Sequence, residues 1–190
     1  AFGYSKEDLE QIIIPMALDF RVWYPDLNKP KKNKFAIGWA GAPVNFVYLL
    51  EIESALSAFL KCNPDWEFWV YSGQKPKLNF DFNYVPFSPG TESNFVRNLD
   101  VGLLPLSEDE HSACKSQIKA IQYLSCGIPV VANRFGATKE ILNDANSLNA
   151  ITADDWLIAL NKLSSSIELR EKLSIAALNS VKIFDAQKVG

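Results

Sequence analysis

The sequence predicts an α/β fold: a single Rossmann-like domain, with a parallel sheet carrying helices on both faces. Three observations predict it. Short apolar runs of strand length recur along the chain, most of them closed by Gly, Pro, Asn or Ser. Between them lie segments whose apolar residues fall three and four apart, the spacing of a helix face. The chain has 190 residues, 48% hydrophobic and 22% charged, enough for one substantial core. Strands alternating with helices through crossovers give a parallel sheet covered on both sides.

The elements follow in order. Residues 1–24 differ from the rest and read as a separate segment: Ser5 to Asp8 resembles a helix start, and Ile12-Ile-Ile-Pro15 is a short apolar run stopped by proline. Tyr24 to Lys34 is polar and basic with two prolines, a linker or exposed loop. The domain proper, residues 25–190, opens its first strand at Phe35 and ends it at Gly41. Ala42, Pro43 and Val44 turn the chain, and Asn45 is placed to cap the next helix. Phe46, Leu49, Leu50, Ile52, Leu56, Phe59 and Leu60 make one apolar face, and Asn63-Pro64 ends it. Strands are expected at Glu67 to Tyr71, Phe80 to Phe87 and Val101 to Leu106, with a short helix over Glu92 to Leu99. Ser107 to Ser112 reads as an acidic loop. A helix beginning at Lys115 stops at Gly127, and Pro129 to Asn133 is the fifth strand. A short helix over Thr138 to Asn143 and an edge strand over Ser147 to Ile151 follow. Thr152-Ala-Asp-Asp155 is a capping box opening a helix, and Ser166 to Phe184 is a long final helix.

Composition narrows the function. A net charge of −3 excludes a broad nucleic-acid footprint but allows a local basic pocket. Cys62, Cys114 and Cys126 have no metal-ligand spacing, and His111 is the single histidine, so neither a disulfide framework nor a metal site is expected. A reducing, cytoplasmic setting fits best. No signal peptide and no membrane-spanning run is seen. The basic stretch Lys29 to Lys34 allows contact with an anionic membrane, though a solvated loop suits the negative overall charge better. His111 reads as a solvated side chain rather than a base, and Cys126 as a small buried residue.

The most informative stretch runs from Lys115 to Asn133. Two lysines, Lys115 and Lys119, open its helix four residues apart. Cations at a helix N-terminus oppose the macrodipole, and like charges at i and i+4 repel. Either these are solvated lysines neutralised by Glu108, Asp109 and Glu110, or free amides and two ammonium groups converge there on a bound anion. Ligands of such folds bind beyond the carboxyl ends of the strands, so the loops at Gly41 to Asn45, Phe87 to Gly90 and Ser107 to Ser116 are the candidate walls. Gly38-Trp-Ala-Gly-Ala-Pro43 is not a dinucleotide fingerprint.

Several motifs stand in one order: Ile13-Ile-Pro-Met-Ala-Leu-Asp-Phe20, Ile37-Gly-Trp-Ala-Gly41 with Tyr48-Leu49, Leu99-Asp-Val-Gly-Leu-Leu-Pro-Leu106, and Lys115 and Lys119 with Gln122-Tyr123 and Cys126-Gly-Ile-Pro-Val-Val131. Gly136 with Glu140-Ile141, and Trp156 with Leu160 through Arg170, complete it. Together they resemble the C-terminal, donor-binding domain of family 4 (group 1) glycosyltransferases of GT-B fold. The resemblance makes residues 1–24 the interdomain crossing segment or a remnant of an N-terminal domain. It implies transfer of a sugar from a nucleotide-diphosphate sugar, in polysaccharide or glycolipid assembly, to an acceptor held by an N-terminal domain. Neither a metal nor another cofactor is implied. Lys115 and Lys119 would meet the diphosphate, Gly41, Ala42 and Asn45 would lie along the phosphates or sugar, Phe87 would border the base, Gln122 would take the ribose hydroxyls, and Ser116 counts with them among the substrate-binding residues. The family's paired glutamates are Cys114 and Gln122 here, and no catalytic residue is assigned. The chain's length implies an excised half or one subunit of a split enzyme, inactive alone. Two other readings stay open: a non-catalytic GT-B-like module that has lost the donor site, and a relative of sugar-nucleotide epimerases.

Overall fold

The structure, a computed structural model, describes residues 16–26, 29, 33–113 and 115–187. Six strands form one sheet: β1 (Phe35–Ala40), β2 (Trp66–Ser72), β3 (Asn83–Pro86), β4 (Val101–Leu104), β5 (Val130–Ala132) and β6 (Ser147–Asn149). All pairings are parallel, in the order β3-β2-β1-β4-β5-β6. Seven α-helices are described: α1 (Phe46–Glu51), α2 (Glu53–Cys62), α3 (Glu92–Arg97), α4 (Glu110–Ala113), α5 (Ile118–Ser125), α6 (Ala153–Ser165) and α7 (Ile167–Ser180).

Alternation along the strands sorts the core into two layers. On one face Ala36, Ala40, Tyr71, Val130 and Ala132 pack against Phe95 and Val96 of α3, Ile121 and Leu124 of α5, and Ala177 of α7. On the other, Ile37, Trp39, Phe68, Val70 and Leu103 meet Leu56 and Phe59 of α2 and Trp156, Leu160 and Leu163 of α6. The capping box at Thr152 forms, with the Asp155 N–H donating to Thr152 Oγ1 at 3.2 Å and the Thr152 N–H to Asp155 Oδ2 at 2.9 Å. Gly127 stops α5 with φ +68°.

Five local expectations change. The helix expected from Phe46 onward is two helices at 64°, broken at Ile52. The bend buries Leu49 and Ile52 and leaves Leu50 46% exposed. Neither Gly nor Pro marks the break, so spacing alone reads one face. Strand β3 is shorter than expected because Phe80 and Phe82 leave the ladder and pack on Phe68, with centroids 5.9 and 6.5 Å away. The acidic loop contains α4, whose start is held by Asp109 Oδ1 accepting the Ser112 N–H at 2.7 Å. A 3₁₀ turn, Gly136–Glu140, replaces the short helix expected from Thr138, and α7 ends at Ser180 before another, Lys182–Phe184.

Leu18 pairs with Asp185 in an isolated parallel bridge, and Trp23 is buried beside the same core, so the described part of residues 1–24 packs on the domain. Tyr24 stacks on the Arg97 guanidinium at 4.4 Å, and Lys29 Nζ donates to the Leu99 carbonyl at 2.6 Å. The helix start at Ser5, the run Ile12 to Pro15, Cys114 and the side chain of His111 lie outside the described residues.

Candidate functional site

The strand order reverses between β1 and β4, which lie side by side with Ile37 opposite Val101. The loops leaving their carboxyl ends therefore diverge to opposite sides and open a crevice, the place where doubly wound sheets bind ligands. Two adjoining cavities occupy it. One, of about 360 Å³, has Gly41, Ala42, Asn45, Tyr48, Pro105, Lys115, Ser116, Lys119 and Thr138 in its wall. The other, of about 310 Å³, shares Gly41, Ala42 and Lys119 and adds Tyr71, Phe87 and Glu92. A cavity of about 370 Å³ beside Trp69 and Asn94 lies away from these loops and contains none of the expected site residues.

Lys115 and Ser116 precede α5 rather than belonging to it; the helix starts at Ile118, and only Lys119 stands in its first turn. The expected repulsion between helical neighbours therefore does not arise. Lys115 reaches back across the crevice, and its Nζ donates to Asn45 Oδ1 at 2.5 Å and lies 4.6 Å from the centroid of the Tyr48 ring. Both contacts are neutral, so they orient the ammonium without cancelling its charge. Asn45 makes no side-chain cap on α1; its amide serves the lysine instead. Tyr48 is fixed in turn by the Ser112 hydroxyl, which donates to its Oη at 3.0 Å.

Lys119 is differently engaged. Its Nζ pairs with Glu92 Oε1, and the two side chains keep 30% and 22% of their exposure. Glu92 Oε2 accepts from Gln122 Nε2 at 3.3 Å. Gln122 is 8% exposed, lines neither cavity, and its Oε1 is buried with no hydrogen-bond partner among the described residues. The first-turn amides of α5 have no intrahelical acceptor, as at any helix start, and they open beside Lys119.

The Phe87 side of the second cavity is pinned by Tyr71. Its hydroxyl donates to the Ser88 carbonyl at 2.8 Å and accepts the Ser88 N–H at 3.2 Å. Phe87 sits edge-on to the Tyr71 ring at 5.8 Å and keeps 56% exposure, an aromatic face presented to solvent.

Every site residue expected from the sequence except Gln122 thus lies in one continuous crevice. Glu92, Tyr48 and Thr138 join them, none of them expected from the sequence as a site residue. Glu140 is exposed and accepts from Gln117 Nε2 at 3.3 Å. Cys126 is buried, and desolvation pushes its thiol up to about 12, which makes it a packing residue rather than a nucleophile. The arrangement is chemically suited to an anion carrying an aromatic group: an oriented ammonium, a second one in a partly exposed ion pair, the amides of a helix start, and an exposed aromatic ledge.

No family model matches the sequence, and no curated protein matches it. Solved structures do. The C-terminal domain of a group 1 family glycosyl transferase, LpcC, from Francisella tularensis matches with a TM-score of 0.75 at 21% identity, over 90% of this chain and 100% of that one. A glycosyltransferase from Rickettsia africae matches at 0.74 and 14%, over 94% of this chain and 54% of that one. Anabaena HepE, in complex with UDP and glucose, matches at 0.70 and 12%, over 91% and 52%. The chain spans about half the length of the latter two. At these identities the likeness is one of fold: this chain folds as the LpcC C-terminal domain does.

Proposed function

We propose that this chain is the donor-binding domain of a glycosyltransferase and takes a nucleotide-diphosphate sugar into the β1/β4 crevice. One observation carries the reading: the loop after β1 and the approach to α5 converge so that Gly41, Ala42, Asn45, Lys115, Ser116 and Lys119 share one cavity wall. The HepE structure, of like fold, holds UDP and glucose, which supports a nucleotide sugar as the ligand class. In this reading the diphosphate lies against Lys115, Lys119 and the α5 amides, and the base lies on Phe87. As the glycosidic bond breaks, negative charge grows on the leaving diphosphate. Preorganised cations and N–H groups stabilise that charge more than they stabilise the intact donor, and this is the domain's contribution to the rate. The acceptor would be held by a second domain, and the crevice alone would bind donor without turning it over.

Calorimetry with UDP, GDP and ADP, with and without sugar, tests the proposal. Wild type binds at least one of them, and the Lys115→Ala, Lys119→Ala double variant loses that binding. Equal affinity in the two proteins would end the reading.

A second reading, a module of this fold that no longer uses the crevice, draws on one observation: Lys119 is already matched by Glu92. It predicts no nucleotide binding at all in the same titration.

A further inference from the structure

We infer that Glu92 is the residue that binds the ribose of the nucleotide, and that it is released for this from Lys119 when the diphosphate arrives. The inference rests on the donor-binding reading and deepens it.

An acid in the wall of a crevice built for an anion needs a reason, because a carboxylate there repels a diphosphate. Here its charge is masked on both oxygens. Lys119 covers Oε1 and the Gln122 amide covers Oε2. The two masks differ in kind. Gln122 is buried on α5, and its amide N–H is given to Glu92. Lys119 is partly exposed and lines both cavities, so its ammonium is free to follow a stronger anion. A diphosphate at the start of α5 is such an anion. When Lys119 turns to it, Glu92 keeps its anchor through Gln122 and gains an open oxygen facing the cavity.

What that oxygen meets is set by position. The cavity wall that contains Glu92 also holds Phe87, whose ring packs on Tyr71, and Lys119, which touches Glu92 directly. With its base on Phe87 and its phosphates at Lys119, a nucleotide brings its ribose between them, against Glu92. An ionised carboxylate only accepts hydrogen bonds: the freed Oε1 takes one hydroxyl of a vicinal diol, and Oε2, which keeps a lone pair beside the Gln122 N–H, takes the other. Gln122 is then a positioning residue: it holds the carboxylate without touching the sugar.

The test uses the whole chain and Glu92→Gln, which keeps the shape and the bond to Gln122 but removes the charge. UDP, 2′-deoxy-UDP and inorganic pyrophosphate are titrated into both, and the GDP and ADP pairs likewise. Wild type is expected to bind the ribonucleotide about tenfold tighter than its 2′-deoxy form, the usual weight of a hydrogen bond to a charged group. In E92Q that preference shrinks to about twofold or less, while pyrophosphate binds as well as before or better, because Lys119 has lost its counter-charge. A preference that survives intact in E92Q overturns the assignment and leaves the donor-binding reading standing. Nucleotide and pyrophosphate tightening together would reduce Glu92 to a counter-ion, and both weakening together would make it structural; each overturns the inference. If wild type binds none of the nucleotides, the donor-binding reading itself fails and this inference with it. Glu92→Ala repeats the comparison should E92Q fail to fold.

Discussion

The N–H of Ala40, the last residue of β1, donates to the Tyr123 hydroxyl of α5 at 3.0 Å. The bond joins the two walls of the crevice: the Gly41 loop begins one residue after the donor, and Lys119 stands one helical turn before the acceptor. Tyr123 is 1% exposed, and burial raises its phenol well above the usual range even though it accepts this N–H. Tyr123→Phe leaves a buried amide without an acceptor, a loss of about 1–3 kcal/mol. Urea denaturation is expected to show that loss, with diphosphate affinity falling as the Gly41 loop loosens.

Lys115 has no acidic partner among the described residues; its ammonium meets only Asn45 and the Tyr48 ring. Lys115→Met keeps an apolar chain against the Tyr48 ring but removes the ammonium, so folding stability should change little. Diphosphate binding should fall about tenfold or more, as for loss of a charge-assisted bond. Asn45→Ala is expected to do less, since it frees the ammonium without deleting it. Calorimetry on the two variants checks the order, and an Asn45 effect larger than the Lys115 effect contradicts it.

In the donor-binding reading Phe87 carries the base and leaves the phosphates to others. It is 56% exposed, so Phe87→Ala should leave the melting temperature nearly unchanged. It removes a stacking surface worth about 0.5–1.5 kcal/mol. Affinity for a nucleoside diphosphate should drop accordingly while affinity for pyrophosphate holds, which titration of the two ligands would show.

Alkaline pH should destabilise the fold from a defined point. The Cys126 thiol is held up to about 12, chiefly by desolvation, with the Arg97 charge opposing. An unfolded thiol titrates near ~8.5. The contribution is fully present below that value. Above it the unfolded chain releases a proton that the folded chain keeps, so stability falls with rising pH, by up to about 1.4 kcal/mol per pH unit. Tyr123 adds a second loss beginning near ~10. Chemical denaturation at a series of pH values should show the decline starting near ~9 in wild type and about one unit later in Cys126→Ala.

Gly136 lets the chain pass close to the site. Its φ is +55°, and a Cβ there would stand 2.7 Å from the backbone of Ala113. Gly136→Ala thus combines strain with a clash against α4, which precedes Lys115, and is expected to cost about 1–3 kcal/mol. Gly73→Ala, where nothing lies within 4 Å, serves as the control. Thermal unfolding of the pair decides it.

What the sequence discloses here and what it hides have physical causes. Strands and helices are read from period, and period is set by which side of each element is dry; hence β1, β2, β4, β5 and the Thr152 box fall where expected. Lys115 and Lys119 are conspicuous because local electrostatics disfavours them in one helix. The same local reasoning errs on how they sit, because the helix starts three residues late. Glu92 passes unnoticed for the opposite reason. An acid in the first turn of a helix is locally favourable and prompts no question, while its partners Lys119 and Gln122 lie far along the chain. Asn45 looks like a cap because its backbone position is that of one, and only the approach of Lys115 gives its amide another use.

The pairing of β1 with β4 also bears on when the site comes into being. Residues 37 and 101 meet at the centre of the sheet, and the two walls of the crevice face each other only once they do. Such distant closure is slow compared with local helix formation. During synthesis the first half of the chain can therefore collapse before Lys115 and Lys119 face the Gly41 loop, and in the donor-binding reading added nucleotide should leave the early folding phase unchanged. Once the sheet has closed, a nucleotide bound there would stabilise the whole molecule by RT ln(1 + L/Kd), with L the free ligand concentration.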